Sequence, residues 1–238
     1  MATYVLIHGS LIGGWCWNKI GKVLENKGHF VYAPDLPGHS TDSNISAKEI
    51  TFEKYVSFVC NLVNGIEGKI ILVGHSLGGA IVTKVIEHVI SKIEKVIYVC
   101  AIVPKNGDTI GELMKSDSIS EVNNSVQINK EKMQIEVNFE KIDEVIFNGC
   151  DKNDIAYAKK MVVPQPFLPF TEPIILENEY FKMVGRIGIV CTEDKSLSPA
   201  IQEQMYRGAG CKMFFLNSGH APYFSKPDEL TKILLDCA

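Results

Sequence analysis

Residues 70–80 read Ile70-Ile71-Leu72-Val73-Gly74-His75-Ser76-Leu77-Gly78-Gly79-Ala80. Four consecutive apolar residues, three of them β-branched, are the pattern of a strand buried on both faces. The stretch after them, 80–90, suits a helix. Between the two lies Gly-x-Ser-x-Gly. On a sharp strand-to-helix turn the serine backbone is strained. Glycines two positions to either side remove the Cβ atoms that would meet the neighbouring strand and helix. Ser76 then points out above the C-terminal edge of a sheet, with the backbone N–H of Leu77, at the helix N-terminus, facing any developing oxyanion. The bare pattern arises by chance in roughly one chain in ten of this length. Its place between a buried strand and a helix separates it from a glycine-rich connecting turn and makes Ser76 the candidate nucleophile.

Outward from this stretch, short apolar runs recur at 4–8, 29–33, 95–100, 187–191 and 211–216, with 69–73 among them. Helix-compatible stretches lie at 17–26, 51–64, 77–90, 199–207 and 226–237. Thr51 can cap the second of these, with Lys54 standing where a complete capping box has Glu or Gln. Strands alternating with helices predict an α/β fold with a parallel sheet covered on both sides. The alternation breaks after about residue 102 and resumes at 187. The interval holds most of the charge, one expected helix near 151–161, and the proline-punctuated run 164–169. The expected organisation is a core of 1–101 and 186–238 with a lid, 102–185, inserted between two sheet strands.

A serine on such a turn works with an acid and a histidine that follow it in the chain. Of the six histidines, His88 and His220 come after Ser76. His88 lies about 18 Å further along the helix at about 1.5 Å per residue, which is out of reach. His220, in the loop Asn217-Ser218-Gly219-His220 after the last apolar run, is the expected base. For the acid, Thr192-Glu193-Asp194-Lys195 follows the run 187–191. Asp194 is the first choice because the shorter carboxylate is the usual partner of an imidazole Nδ1–H. Glu193 and Asp108 are the alternatives.

The loop after the first run reads His8-Gly9-Ser10-Leu11-Ile12-Gly13-Gly14-Trp15. A small-residue loop here brings a second N–H, from Ser10, towards an oxyanion bound near Leu77. His8 reads as a structural histidine fixing that loop. Leu11, Trp15, Met161, Phe167, Leu168 and Ala221 are candidate substrate contacts, with packing as the alternative for Trp15. Residues 161–163, with Phe167, Leu168 and Phe170, either form an apolar ceiling over Ser76 or pin the lid to the sheet.

Composition removes several function classes. The 238 residues are 46% hydrophobic and carry 24 basic against 28 acidic side chains, a net charge of −4. That apolar fraction excludes a disordered chain. The charge argues against a nucleic-acid partner, which needs a clustered basic face. No apolar stretch approaches the roughly 20 residues of a bilayer span, and no basic region precedes an apolar run at the start, so neither a membrane nor a signal peptide is expected. The seven scattered cysteines include no Cys-x-x-Cys pair. They read as free thiols in a cytoplasmic protein, with Cys100, Cys191 and Cys211 in or beside the core.

These motifs resemble the α/β-hydrolase fold family and, within it, the small carboxylesterases related to plant methylesterases and hydroxynitrile lyases. The resemblance is carried by His8-Gly9-Ser10 with Gly13-Gly14-Trp15-Cys16-Trp17, by Gly74-His75-Ser76-Leu77-Gly78-Gly79, by Val190-Cys191-Thr192-Glu193-Asp194-Lys195 and by Gly219-His220. It extends to 164–170 and 181–186, while 115–152 matches nothing specific. It implies a mostly parallel sheet flanked by helices, and a serine hydrolase acting on a small-molecule ester through an acyl-enzyme. No metal or organic cofactor is implied, and such proteins are often homodimers. The alternatives are lyase chemistry on the same residues and a small-molecule receptor without turnover. The related lyases carry lysine after the histidine, to hold leaving cyanide, where this chain has Ala221. The related methylesterases commonly carry methionine there.

Overall fold

The computed structural model describes residues 1–40, 45–177 and 183–238. The core runs β1 (Thr3–Ile7), α1 (Asn18–Asn26), β2 (Phe30–Tyr32), α2 (Phe52–Asn64), β3 (Ile70–His75), α3 (Leu77–Val89) and β4 (Ile93–Val99). The inserted segment contributes α4 (Ile110–Ser116), β5 (Val126–Asn129), β6 (Gln134–Val137), α5 (Ile142–Val145), α6 (Lys152–Met161) and β7 (Gln165–Pro166). The core resumes with β8 (Gly185–Cys191), α7 (Pro199–Gly208), β9 (Lys212–Leu216), α8 (Pro222–Ser225) and α9 (Pro227–Asp236).

Six strands form one sheet in the order β2-β1-β3-β4-β8-β9, every adjacent pair parallel. The sequence alternation explains why the sheet is covered on both faces. Ile70 and Leu72 join the apolar layer that includes α2 and α3, whereas Ile71 and Val73 join the layer that includes α1 and α9. Val5 and Ile7 against Tyr4 and Leu6 divide in the same way. Every residue of β3 is buried, as a strand with two apolar neighbours must be. Thr51 caps α2, its Oγ1 accepting from the Lys54 N–H at 3.2 Å. Among the described residues, no helix is long and apolar enough to cross a membrane.

The chain leaves β4 for the inserted segment and returns at β8, which pairs directly with β4. That segment contains a three-stranded antiparallel sheet, β5-β6-β7, which the sequence reading did not anticipate. Its signal is present in Val126-Gln127-Ile128-Asn129 and Gln134-Ile135-Glu136-Val137, each strictly alternating and joined by four residues. The resemblance noted at 181–186 falls in part on residues outside those described.

Helix α3 packs unusually close to β1. A Cβ on Gly78 would lie 2.6 Å from the carbonyl oxygen of Ile7 and 2.8 Å from that of His8, and one on Gly74 would lie 2.6 Å from the Gly78 carbonyl oxygen. Backbone cannot yield as a flexible side chain can. Gly78→Ala is therefore expected to destabilise the fold by about 1–3 kcal/mol or to prevent folding. Chemical denaturation checks this, and an unchanged midpoint would contradict the close approach.

Candidate active site

The strand-to-helix turn places Ser76 at φ 51° and ψ −121°, in the positive-φ region that costs a non-glycine residue about 1–3 kcal/mol. Neighbouring strands hold it there. The Ser76 N–H donates to the Val99 carbonyl at 3.3 Å, and the Ser76 carbonyl accepts from Ile102 and Gly79, each at 3.0 Å. Leu77 opens α3, so its N–H has no acceptor within the helix.

His220 lies in the loop between β9 and α8 and is almost fully buried. Its Nδ1 donates to Asp194 Oδ2 at 2.7 Å, and Asp194, just after β8, is buried as well. The His220 backbone is held from β3 and from the end of β4. His75 Nε2 donates to the His220 carbonyl at 2.8 Å, and the Cys100 thiol to the same oxygen at 3.4 Å. Asp194 Oδ1 accepts backbone N–H groups from Ser196 and Leu197 at 2.8 and 2.9 Å. The other two carboxylates considered face elsewhere. Glu193 is exposed, and Asp108 accepts from the Lys105 N–H, closing its own turn.

Ser76 and His220 share the wall of one cavity, together with Ser10 and Leu11 from the β1 loop. Part of it is open to solvent. The Ser10 N–H has no acceptor among the described residues. Its peptide group is oriented by His8, whose Nδ1 donates to the Gly9 carbonyl at 2.7 Å while its Nε2 accepts from the Leu36 N–H at 2.9 Å. His8 thus takes the structural position read from the sequence.

Of the six candidate substrate contacts, Leu11 lines this cavity and the other five do not. Trp15 packs edge-on to Tyr157 and stacks on Phe224. Met161 ends α6, where the following backbone ties the lid to the β1 loop through Val163 N–H to the Leu11 carbonyl at 2.9 Å. Phe167 bonds back to Met133, and the Leu168 carbonyl caps its own short turn. Ala221 is fully buried, its carbonyl accepting from Phe224 and Ser225 at the start of α8. Of the expected ceiling residues, Phe170 lines the cavity, while Val163 and Phe167 tie the segment to the β1 loop and to Met133. The apolar wall comes instead from Met114, Val122, Val126, Ile135 and Ile146 of the inserted segment, with Ile102 at its start and Leu197 and Tyr223 from the core.

His75, Cys100 and His220 hold donor atoms within 4.8 Å of one another. They do not fit a metal. His75 Nε2 and the Cys100 thiol already spend their hydrogens on the His220 carbonyl, and burial pushes the thiol well above its ordinary range. The thiolate that a metal needs is disfavoured.

With this geometry established, comparison with known proteins places the chain. Residues 4–233 match the model of the alpha/beta hydrolase family. The chain belongs to that family. Among sequence relatives of this alpha/beta hydrolase, "Putative methylesterase 14, chloroplastic" of Arabidopsis thaliana is 34% identical over 99% of this chain and 71% of its own length. The crystal structure of a pyrethroid hydrolase from Sphingobium faniae superposes with a TM-score of 0.89 at 28% identity, covering 99% of this chain and 96% of that one. Polyneuridine aldehyde esterase superposes with a TM-score of 0.87 at 25% identity, covering 100% and 99%.

Burial holds three histidines neutral in the folded alpha/beta hydrolase. His8, His39 and His75 all lie below their ordinary value of 6.5, desolvation being the largest cause for each; a neighbouring imidazole adds to it at His8 and His75. At each site the unfolded chain takes up a proton as pH falls through 6.5 while the folded chain does not. Stability is therefore full above that pH and declines below it, by up to about 1.4 kcal/mol per pH unit for each histidine. Thermal unfolding from pH 8 downward measures this, and a midpoint independent of pH as far down as pH 5 would contradict neutral burial.

Proposed function

We propose that the protein is a serine hydrolase that cleaves carboxylic esters of small, uncharged substrates through an acyl-enzyme. The observation carrying this reading is the Asp194–His220 hydrogen bond of 2.7 Å, made by a histidine that shares its cavity wall with the strained Ser76. His220 Nε2 takes the Ser76 proton as Oγ attacks the ester carbonyl. Asp194 holds the ring by Nδ1–H and stabilises the imidazolium that forms. The N–H groups of Leu77 and Ser10 receive the charge on the tetrahedral oxygen. His220 then protonates the departing alcohol. In the second half it draws a proton from water, which attacks the acyl carbonyl and frees Ser76.

The cavity wall supports the substrate class. It is mostly aliphatic, and among its described residues none is Lys, Arg, Asp or Glu. A charged acyl group entering it would lose its hydration with no opposite charge to replace it. The same absence of a cation gives cyanide release no support, and Ala221 stands where the related lyases carry lysine. The relatives' printed names, methylesterase, pyrethroid hydrolase and aldehyde esterase, agree with ester chemistry. All seven cysteines are unpaired, which suits a reducing compartment and the cytoplasm first among them. A homodimer is proposed on the resemblance alone.

Two outcomes are expected. Ser76→Ala removes the acyl-enzyme burst on an activated aryl ester and lowers turnover by on the order of 10⁴-fold or more, with fluorophosphonate labelling at Ser76 lost by intact mass. An undiminished burst in that variant overturns the scheme. Across a panel matched for leaving group, neutral acyl chains exceed carboxylate-bearing ones in kcat/KM by at least about tenfold. Preference for the charged acyl group overturns the substrate class.

A further inference from the structure

Helix α7 brings one polar side chain beneath the loop that carries Asp194. Gln202 is fully buried and each of its polar atoms is bonded. Its Oε1 accepts from the Cys191 backbone N–H at 3.0 Å. Its Nε2 donates to Asp194 Oδ2 at 2.9 Å and to the Leu197 carbonyl at 2.6 Å. The amide can face only one way. Turned over, it would set an oxygen against a carboxylate and a carbonyl, and an NH₂ against an N–H.

The two oxygens of Asp194 are thus anchored differently. Oδ1 is held by Ser196 and Leu197, backbone of the same loop, which moves when the loop moves. Oδ2, the oxygen that meets His220 Nδ1, is held from outside the loop by Gln202. One rigid carboxamide links the last residue of β8, the carboxylate and Leu197. Rotation of Asp194 that swings Oδ2 off the imidazole must first break the Gln202 bond. The loop has a second tie, from the lid. Asp117 accepts from the Ser198 N–H at 2.7 Å and from its hydroxyl at 2.6 Å, and Ser120 Oγ donates to the Ser196 carbonyl at 2.7 Å. Those bonds steady the backbone and leave the Asp194 carboxylate untouched.

We infer that Gln202 is a positioning residue for ester hydrolysis, its Nε2 fixing the carboxylate oxygen that orients His220. The inference rests on the esterase reading above. Gln202 lies outside the cavity lining and acts through Asp194 and His220 alone.

The test uses the full chain with Gln202→Met, Gln202→Glu and Asp117→Asn. For each, kcat and KM on a neutral aryl ester are measured across about pH 5 to 9, alongside the thermal midpoint. Gln202→Met is expected to lower kcat by about 10–100-fold, the scale seen when a hydrogen-bond partner that orients a metal-ligating side chain is removed, with KM nearly unchanged. Gln202→Glu discriminates further. Protonated, the new side chain donates an O–H to Asp194 Oδ2 as the amide does; ionised, it sets a second carboxylate there. Its activity should approach wild type on the acid side and fall as pH rises, an alkaline limb that wild type lacks. Asp117→Asn should lower the thermal midpoint without creating that limb. Wild-type kcat in Gln202→Met, or a uniform loss in Gln202→Glu that follows stability at every pH, overturns the inference. Should Gln202→Met fail to fold, the Gln202→Glu profile decides. Wild-type protein with neither turnover nor a fluorophosphonate adduct overturns the esterase reading and this inference with it. Active wild type with unaffected Gln202 variants overturns the inference alone.

Discussion

Everything at the site depends on how near α3 comes to β1. The helix begins so close to the first strand that only a hydrogen fits at position 78, and the chain must turn from β3 into that helix within one residue. Ser76 takes the strain of the turn at φ 51°. Two consequences follow. The side chain is lifted above the sheet edge, and the N-terminus of α3 faces the loop leaving β1. Leu77 opens α3 and Ser10 lies on the loop after β1, so their N–H groups belong to two backbones that approach closely. The sheet order reinforces this. β1 lies between β2 and β3, so the loops after β1 and β3 leave the same edge side by side, the position where open parallel sheets gather ligand sites.

The histidines divide by their electrostatic surroundings. His8 and His75 sit in apolar layers with no opposite charge, so desolvation keeps them neutral and they serve as directional hydrogen-bond groups. Their targets are backbone carbonyls: Gly9 for His8, on the peptide that carries the Ser10 N–H, and His220 for His75. His220 differs because a carboxylate meets its Nδ1. A neutral imidazole aims a peptide, whereas the His220 ring is itself held by a buried carboxylate. The same residue type thus sits in two settings, distinguished by one neighbouring carboxylate.

The inserted segment does more than cover the cavity. Its small antiparallel sheet, α4 and Ile146 just after α5 supply much of the apolar wall, and its loop from Asp117 to Glu121 grips the loop that carries Asp194. The inserted segment and the Asp194 loop are joined through Ser196 and Ser198. A lining without Lys, Arg, Asp or Glu among its described residues and a braced carboxylate suit chemistry in which a neutral carbonyl becomes an oxyanion.

The α/β architecture was legible in the sequence because its signals are local. β-branched runs mark doubly covered strands, Thr51 marks a helix start, and Gly-x-Ser-x-Gly marks a turn whose sterics admit little else. His220 could be reached by chain order and by the length of α3. The substrate wall was not legible. Trp15, Phe167 and Leu168 have the apolar character of pocket residues, but which way such a side chain faces depends on how the lid lies on the sheet. The Val126–Val137 hairpin carried a readable alternation, but alternation alone does not say which face meets Ser76. Gln202 was silent for the same reason: a glutamine on an amphipathic helix reads as solvated until the helix is docked against Asp194. Local sterics and patterning thus specified the elements and the turn that carries Ser76. The shared cavity wall of Ser76 and His220, the Asp194–His220 hydrogen bond and the choice of apolar lining came from contacts between residues distant in the chain, which no local pattern encodes.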